Sequence, residues 1–76
     1  MNERTLQLTA VISRDGGMFV ALCPELDVAS QGASVEEARA NLIEAVELFL
    51  EAADPSEVQQ RLEAKALIAP IEVRLA

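Results

Sequence analysis

Apolar and polar residues alternate along the first part of the chain with the period of two that is typical of β-strands. Thr5–Ser13 is predicted to form a strand whose apolar side chains share one face, namely Leu6, Leu8, Ala10 and Ile12. The following Gly16 and Gly17 can adopt the positive φ angles of a tight hairpin turn, so Met18–Cys23 is expected to return antiparallel. Pro24 ends this second strand because proline cannot donate a hydrogen bond to a strand ladder.

The spacing of apolar residues changes to that of a helix after a short third strand, which is predicted at Val28–Gly32. Ser34 and Glu37 have the spacing of a capping box, in which the serine oxygen accepts the N–H of Glu37 and the glutamate reaches back to the N–H of Ser34. The helix is predicted to run to about Ala53. Its apolar stripe, expected to pack on the sheet, consists of Ala38, Leu42, Ala45, Val46 and Phe49.

Two further elements are predicted after the main helix. Asp54 followed by Pro55 is a typical helix start, so a short second helix is expected to end near Ala64. Beyond Pro70 the alternation resumes and predicts a terminal strand whose apolar residues share one face: Ile71, Val73 and Leu75. Because a long helical crossover precedes this strand, we expect it to pair in parallel with the first. The predicted fold class is α+β in the order β-β-β-α-α-β, an antiparallel three-stranded meander plus one parallel edge strand, with the main helix packed on one face.

The second strand is apolar on both faces, although the main helix can cover only one of them. An apolar face without cover within the chain is typical of an interface. A domain of 76 residues also buries too little surface to be very stable alone. We therefore predict self-association, at least as a homodimer, through Met18, Val20 and Leu22.

Composition and charge narrow the range of functions. With 13 acidic and 6 basic residues the chain has a net charge of −7, which repels phosphate backbones, and it has no Trp or Tyr on which bases could stack. Direct nucleic-acid binding is therefore not expected, and a basic protein partner suits the charge better.

No apolar run approaches the roughly 20 residues that span a bilayer, and neither a signal-peptide pattern nor a pair of cysteines indicates secretion. We expect a cytoplasmic protein of one domain, residues 1–76, that does not act at a membrane.

Catalytic chemistry is not predicted. The chain contains no histidine, so a Ser–His or Cys–His nucleophile cannot be built, and Cys23 is expected to be a structural residue. The carboxylates of a metal-dependent nuclease should project from strands, whereas Asp15, Glu25 and Asp27 fall in predicted turns. We therefore expect neither an enzyme nor a bound metal or cofactor.

The segment Pro24-Glu25-Leu26-Asp27 is the strongest candidate for a binding loop, and two alternatives stay open for it. It is either an ordinary connection between strands or a rim on which Glu25 and Asp27 present a complementary surface to a basic partner. The next polar segment, Ser30-Gln31-Gly32, presents the same choice, because its glycine can serve backbone geometry and its glutamine an interface.

Residues 18–50 resemble the core of the HicB-like antitoxin family, since they combine C-P-E-L, S-Q-G and S-x-E-E-A at the family's spacing. The resemblance extends more weakly over essentially the whole chain and implies a truncated RNase H-like α+β fold. It also implies a partner, a small RNA-cleaving toxin of the HicA type that the protein binds and silences. By this resemblance the toxin-facing role falls on Pro24, Glu25, Asp27, Ser30, Gln31 and Gly32.

One feature of the longer family members is not expected here. Those members continue into a helix-turn-helix or ribbon-helix-helix module that binds DNA, whereas this sequence stops one predicted strand after its helices, so no such C-terminal module is predicted. Two functions stay open: neutralisation of a small basic RNA-cleaving toxin, or an orphan homo-oligomeric interaction module with no toxin partner. A neighbouring gene for a small basic protein with a single catalytic-looking histidine would favour the first.

Overall fold

The structure, a computed structural model, describes residues 5–64 and 69–76. Its elements in chain order are β1 (Val11–Asp15), β2 (Met18–Cys23), β3 (Val28–Gly32), α1 (Val35–Ala52) and α2 (Pro55–Glu63). The strands form one antiparallel sheet in the order β1-β2-β3. The predicted three-stranded meander and both predicted helices are therefore confirmed, and the fold class is α+β.

A two-glycine turn connects the first two strands. Asp15 pairs with Met18 across the turn, Gly16 has a φ of 64°, and Gly17 does not share this left-handed conformation. A positive φ at the first central residue alone is the pattern of a type II′ turn, whose twist matches that of two antiparallel strands. The predicted hairpin is therefore confirmed.

The first strand is shorter than the prediction of Thr5–Ser13. Its register pairs Val11 with Leu22, and Pro24 ends the partner strand soon afterwards. By the same register Ala10 stands opposite Cys23, the last residue of β2, so residues 5–9 extend beyond the end of that strand. Residues 5–10 form no strand ladder. The apolar side of this segment still contributes to the core, because Leu8 packs against the buried residues.

The predicted terminal strand is not observed. Residues 69–76 have no regular secondary structure, and Ile71, Val73 and Leu75 are 82%, 74% and 95% exposed. The apolar alternation is present, but none of the strands in the described residues lies beside it. The predicted parallel pairing with the first strand is therefore wrong for the single chain, and the truncated RNase H-like arrangement stays a prediction.

The core lies between α1 and one face of the sheet. Strand register places the inward side chains of that face together, namely Ile12, Phe19, Ala21, Cys23 and Val28. The apolar residues that are buried are Ala21, Cys23, Leu26, Ala38 and Leu42. The core is thus small and almost entirely aliphatic, as the composition indicates.

Local hydrogen bonds define the starts of both helices. The Oγ of Ser34 accepts the N–H of Glu37 at 3.0 Å. The carboxylate of Glu37 accepts the N–H of Ala33 at 2.6 Å, one residue earlier than the predicted Ser34 N–H. Asp54 caps α2 by accepting the N–H of Ser56 at 2.9 Å. Both predicted N-caps are therefore confirmed. At α1 the carboxylate of Glu37 accepts the N–H of Ala33 instead of the predicted N–H of Ser34.

Gly32 allows α1 to approach the sheet closely. The residue is buried, and a Cβ at this position would lie 2.5 Å from the backbone nitrogen of Ala38 and 2.8 Å from the carbonyl carbon of Glu37. Its φ is not positive, so the glycine provides space and not an unusual backbone conformation. Asn41 also joins α1 to β3 at this point, because its Nδ2 donates to the carbonyl oxygen of Gln31 at 2.8 Å.

Candidate interaction surface

The loop between β2 and β3 is a tight turn that is anchored from inside. The N–H of Asp27 donates to the carbonyl oxygen of Cys23 at 2.8 Å, and Asp27 adopts a left-handed conformation with a φ of 58°. Leu26 points inward and is fully buried, a burial that contributes about 1.5–3 kcal/mol. The sequence does not reveal this inward direction, because a lone apolar residue between two acids has no periodicity.

Arg61 of α2 holds this loop from outside. Its guanidinium donates to the carbonyl oxygen of Leu26, forms an ion pair with Glu57 at 3.1 Å and lies 5.1 Å from the ring centroid of Phe49. One side chain thus connects α2, the loop and α1. A cation above an aromatic ring contributes about 0.5–1 kcal/mol at an exposed site.

Glu25 faces the chain's own N-terminal segment. Its Oε1 accepts the backbone N–H of Thr9 at 3.1 Å, and its Oε2 accepts the Thr9 hydroxyl at 2.7 Å. The thiol of Cys23 donates to Oε1 at 3.5 Å. The carboxylate therefore joins the loop to residues 5–10, and it is half-buried.

These contacts alter the acidity of both groups. Burial alone would raise the pKa of Glu25, but the hydrogen bonds from Thr9 together outweigh burial and lower that pKa below its ordinary value. Burial, aided by the neighbouring Glu25 carboxylate, raises the pKa of the Cys23 thiol. Cys23 therefore stays a protonated, unreactive core residue at neutral pH.

The structure does not bring the predicted toxin-facing residues onto one surface. Ser30 and Gly32 lie on the face of β3 that α1 covers, where Gly32 is buried. Gln31 lies on the opposite face and is exposed, as is Asp27 in the loop. Pro24 is half-buried beside Glu25. Of the predicted set, the exposed side chains are those of Asp27 and Gln31, and partner binding by the set stays a prediction.

The sheet face opposite α1 gathers the residues predicted for self-association. Register places Met18, Val20 and Leu22 there, and Val11 lies directly opposite Leu22 on the neighbouring strand. Met18 and Val11 are 38% and 45% exposed, while Val20 and Leu22 are half-buried. Within residues 5–64 and 69–76 no element packs on this open face. Self-association through it stays a prediction.

Helix α1 presents an acidic stripe to solvent. At 3.6 residues per turn its carboxylates fall within an arc of about 100°. The stripe consists of Glu36, Glu37, Glu44, Glu47 and Glu51, all exposed. Arg39 is the basic residue of the same helix, and it lies outside this arc. The helical spacing of these glutamates in the sequence gives them this common direction, and it is the signal that identifies a charged surface.

A metal site and a membrane-spanning helix each have definite structural requirements. In residues 5–64 and 69–76, no group of three His, Cys, Asp or Glu side chains is placed to hold a metal ion. No helix in the same residues is long and apolar enough to cross a membrane.

One known protein is similar to almost the whole chain. Over 70 residues the chain is 39% identical to a UPF0150 protein of Helicobacter pylori strain J99, and the alignment covers 91% of this chain and 97% of that relative. No family model matches the chain, and no solved structure matches it. Identity at this level over nearly the full length of both chains establishes common ancestry. The chain belongs to the UPF0150 protein family.

Proposed function

We propose that the protein is an antitoxin-like binder that neutralises a small, basic, RNA-cleaving toxin of the HicA type by direct protein–protein contact. The observation that carries this proposal is the acidic stripe of α1, in a chain with a net charge of −7. Asp27 in the loop adds a further exposed carboxylate. The motifs C-P-E-L, S-Q-G and S-x-E-E-A support it independently.

The proposed mechanism is occlusion and requires no catalysis by this protein. A toxin that cleaves RNA must bind phosphates through a basic surface. A concentrated set of carboxylates attracts such a surface, raises the rate of encounter and orients the complex. Once the basic surface is covered, RNA can no longer reach it.

The arrangement of the loop assigns different roles to its two acids. Both oxygens of Glu25 accept hydrogen bonds from Thr9, so Glu25 is a positioning residue that holds the loop in place. Asp27 is exposed, and its side chain is available to a partner. Contact with the toxin is therefore assigned to Asp27 together with the acidic stripe.

The proposal is tested with the product of a neighbouring gene that encodes a small basic protein. The two proteins are expected to co-purify, and this protein is expected to stop RNA cleavage by its partner. Asp27→Lys should weaken both effects, whereas Asp27→Asn is the matched control, because asparagine tolerates the left-handed conformation and adds no positive charge. Cleavage that continues at a molar excess of the native protein would refute the proposal.

A second function, an orphan homo-oligomeric interaction module, is favoured by one observation. The open sheet face carries Val11, Met18, Val20 and Leu22 without cover from the described residues. A protein whose purpose is self-association would form the same oligomer in the absence of any neighbouring gene product. Failure of every co-purification, together with a stable oligomer, would therefore favour this second function.

A further inference from the structure

The single chain leaves two segments without strand partners, although the sequence predicts a strand at each. The first is residues 5–10, which form no ladder and of which residues 5–9 lie beyond the end of β2. The second is residues 69–76, hereafter the C-terminal arm, in which Ile71, Val73 and Leu75 are almost entirely exposed. An extended segment with apolar residues at alternate positions buries them when it pairs with another strand over an apolar surface.

A groove of about 510 Å³ runs alongside the first segment. All of residues 5–10 line it, and α1 contributes the apolar Leu42, Ile43, Val46 and Leu50 together with the oppositely charged Arg39 and Glu47. Because consecutive residues line the groove regardless of side-chain alternation, an extended backbone edge borders it, and such an edge can bond to an incoming strand. The N–H of Thr9 is the exception, since it already donates to Glu25. Leu6 and Ile43 are 53% and 47% exposed, so part of this apolar lining is uncovered.

The C-terminal arm matches this groove in pattern and in charge. Its alternation allows Ile71, Val73 and Leu75 to lie against α1 while the intervening residues face outward. Those outward residues are Glu72 and Arg74, whose charges sum to zero, so the remainder of the chain carries the whole net charge of −7. A neutral arm can therefore approach a second copy without the repulsion that two acidic bodies experience.

The conformation of the arm favours a second copy over the chain's own groove. Pro70 restricts Ala69 to extended backbone, so the arm begins as an extended segment. The Cα radius of gyration is 14.7 Å, whereas a compact chain of this length has about 11 Å. The arm therefore lies outside its own groove and extends the molecule.

We propose that two copies exchange their C-terminal arms, each arm forming an added edge strand beside residues 5–10 of the other copy and over its α1. Reciprocal exchange fills both grooves and covers both arms with two-fold symmetry. A single exchange also explains why residues 5–10 and the C-terminal arm are both unpaired in the single chain. The proposal does not depend on toxin binding.

Complementation between two full-length variants tests the exchange. The arm variant is Ile71→Glu/Val73→Glu, and the groove variant is Ile43→Arg. Sedimentation equilibrium at micromolar concentration is expected to give a dimer for the native protein and a monomer for each variant alone. An equimolar mixture of the variants should form a heterodimer, because one native arm and one native groove remain available. Glu72→Gln/Arg74→Gln is the matched control on the outward side of the arm and should stay dimeric.

Three results would overturn the exchange. A native protein that is a monomer has no exchange, and an arm variant that remains a dimer associates through another surface such as the open sheet face. Variants that are monomers alone and also when mixed indicate that each arm docks in its own groove. Far-UV circular dichroism verifies that each variant is folded; if Ile43→Arg is not, Leu6→Arg on the opposite wall replaces it.

Discussion

At the scale of single residues, the absence of a side chain at Gly32 keeps α1 close to the sheet. We predict that Gly32→Ala destabilises the protein by about 1–3 kcal/mol, because the added methyl group meets backbone atoms of Glu37 and Ala38 that cannot move independently of the helix. The free energy of unfolding from urea titrations measures this change.

Gly17→Ala is the control for that experiment. A Cβ at Gly17 meets nothing within 4 Å, and its φ is not positive. The substitution should therefore change stability by less than about 1 kcal/mol, in the stabilising direction. Equal losses at the two glycines would contradict the steric role assigned to Gly32.

The hydrogen bonds of Glu25 predict a dependence of stability on pH. The pKa of Glu25 is lower in the folded protein than its ordinary value of 4.5. The stabilisation is therefore fully present above that ordinary value, and it is lost as the pH falls through the folded-state pKa. Glu25→Gln should be less stable than the native protein at neutral pH, and the difference should shrink in acid.

Thermal unfolding of the two proteins from neutral pH to well below pH 4.5 measures this difference. Asp54 also has a lowered pKa, because it accepts hydrogen bonds from Ser56, so the native curve contains more than one contribution. Subtracting the stability of Glu25→Gln from that of the native protein at each pH isolates the contribution of Glu25. Glu72→Gln, in the exposed arm, is the control for loss of one charge. A constant difference at all pH values would show that the Thr9 contact does not depend on the ionised carboxylate.

Leu26 and Glu25 show why the loop could be predicted only in part. Pro24 correctly marked the end of a strand, because its effect is local. The direction of a side chain in a four-residue turn depends instead on what packs beside it. Leu26 enters the core and Glu25 reaches Thr9, which is 16 positions away in sequence. No pattern within the loop contains that information.

At the scale of whole elements, the start of α1 depends on Ser34. We predict that Ser34→Ala costs about 1 kcal/mol, because the N–H of Glu37 loses its acceptor. Ser34→Asn should retain most of the stability, since asparagine is as good an N-cap as serine. Urea unfolding measures both changes. Equal losses for alanine and asparagine would show that packing, and not the cap, is responsible.

Elements with local signals were predicted well, and an element that needs a distant partner was not. The glycine turn, the capping box and the Asp-Pro start locate the hairpin and both helices from a few adjacent residues each. The alternation of the C-terminal arm identifies an apolar face but not the strand that would pair with it. Pairing across more than 50 residues depends on tertiary contacts that the alternation does not specify.

At the scale of the whole molecule, the net charge and the acidic side of α1 were predictable, whereas the arrangement of the predicted site was not. The net charge of −7 is a property of composition. The concentration of carboxylates on one side of α1 requires the helix to form and its apolar side to be buried against the sheet. The predicted site separates in the folded chain, because adjacent strand residues such as Ser30 and Gln31 point to opposite faces. Adjacency in sequence therefore overstates how many residues one partner can contact.

The final prediction separates the acidic stripe from net charge by comparing two variants of equal charge. Glu44→Gln/Glu51→Gln lies in the stripe, and Asp15→Asn/Glu63→Gln lies elsewhere on exposed positions; each removes two of the negative charges. Association rates with the basic neighbouring gene product should fall several-fold for the stripe variant at low salt and much less for the other. Steering depends on local field as well as on total charge, and salt screens both, so the two rates should converge as ionic strength rises. Stopped-flow mixing over a range of salt concentrations measures the association rates.

Equal rates for the two variants at low salt would show that only net charge guides the encounter. The contact surface would then have to be assigned to Asp27 and the loop.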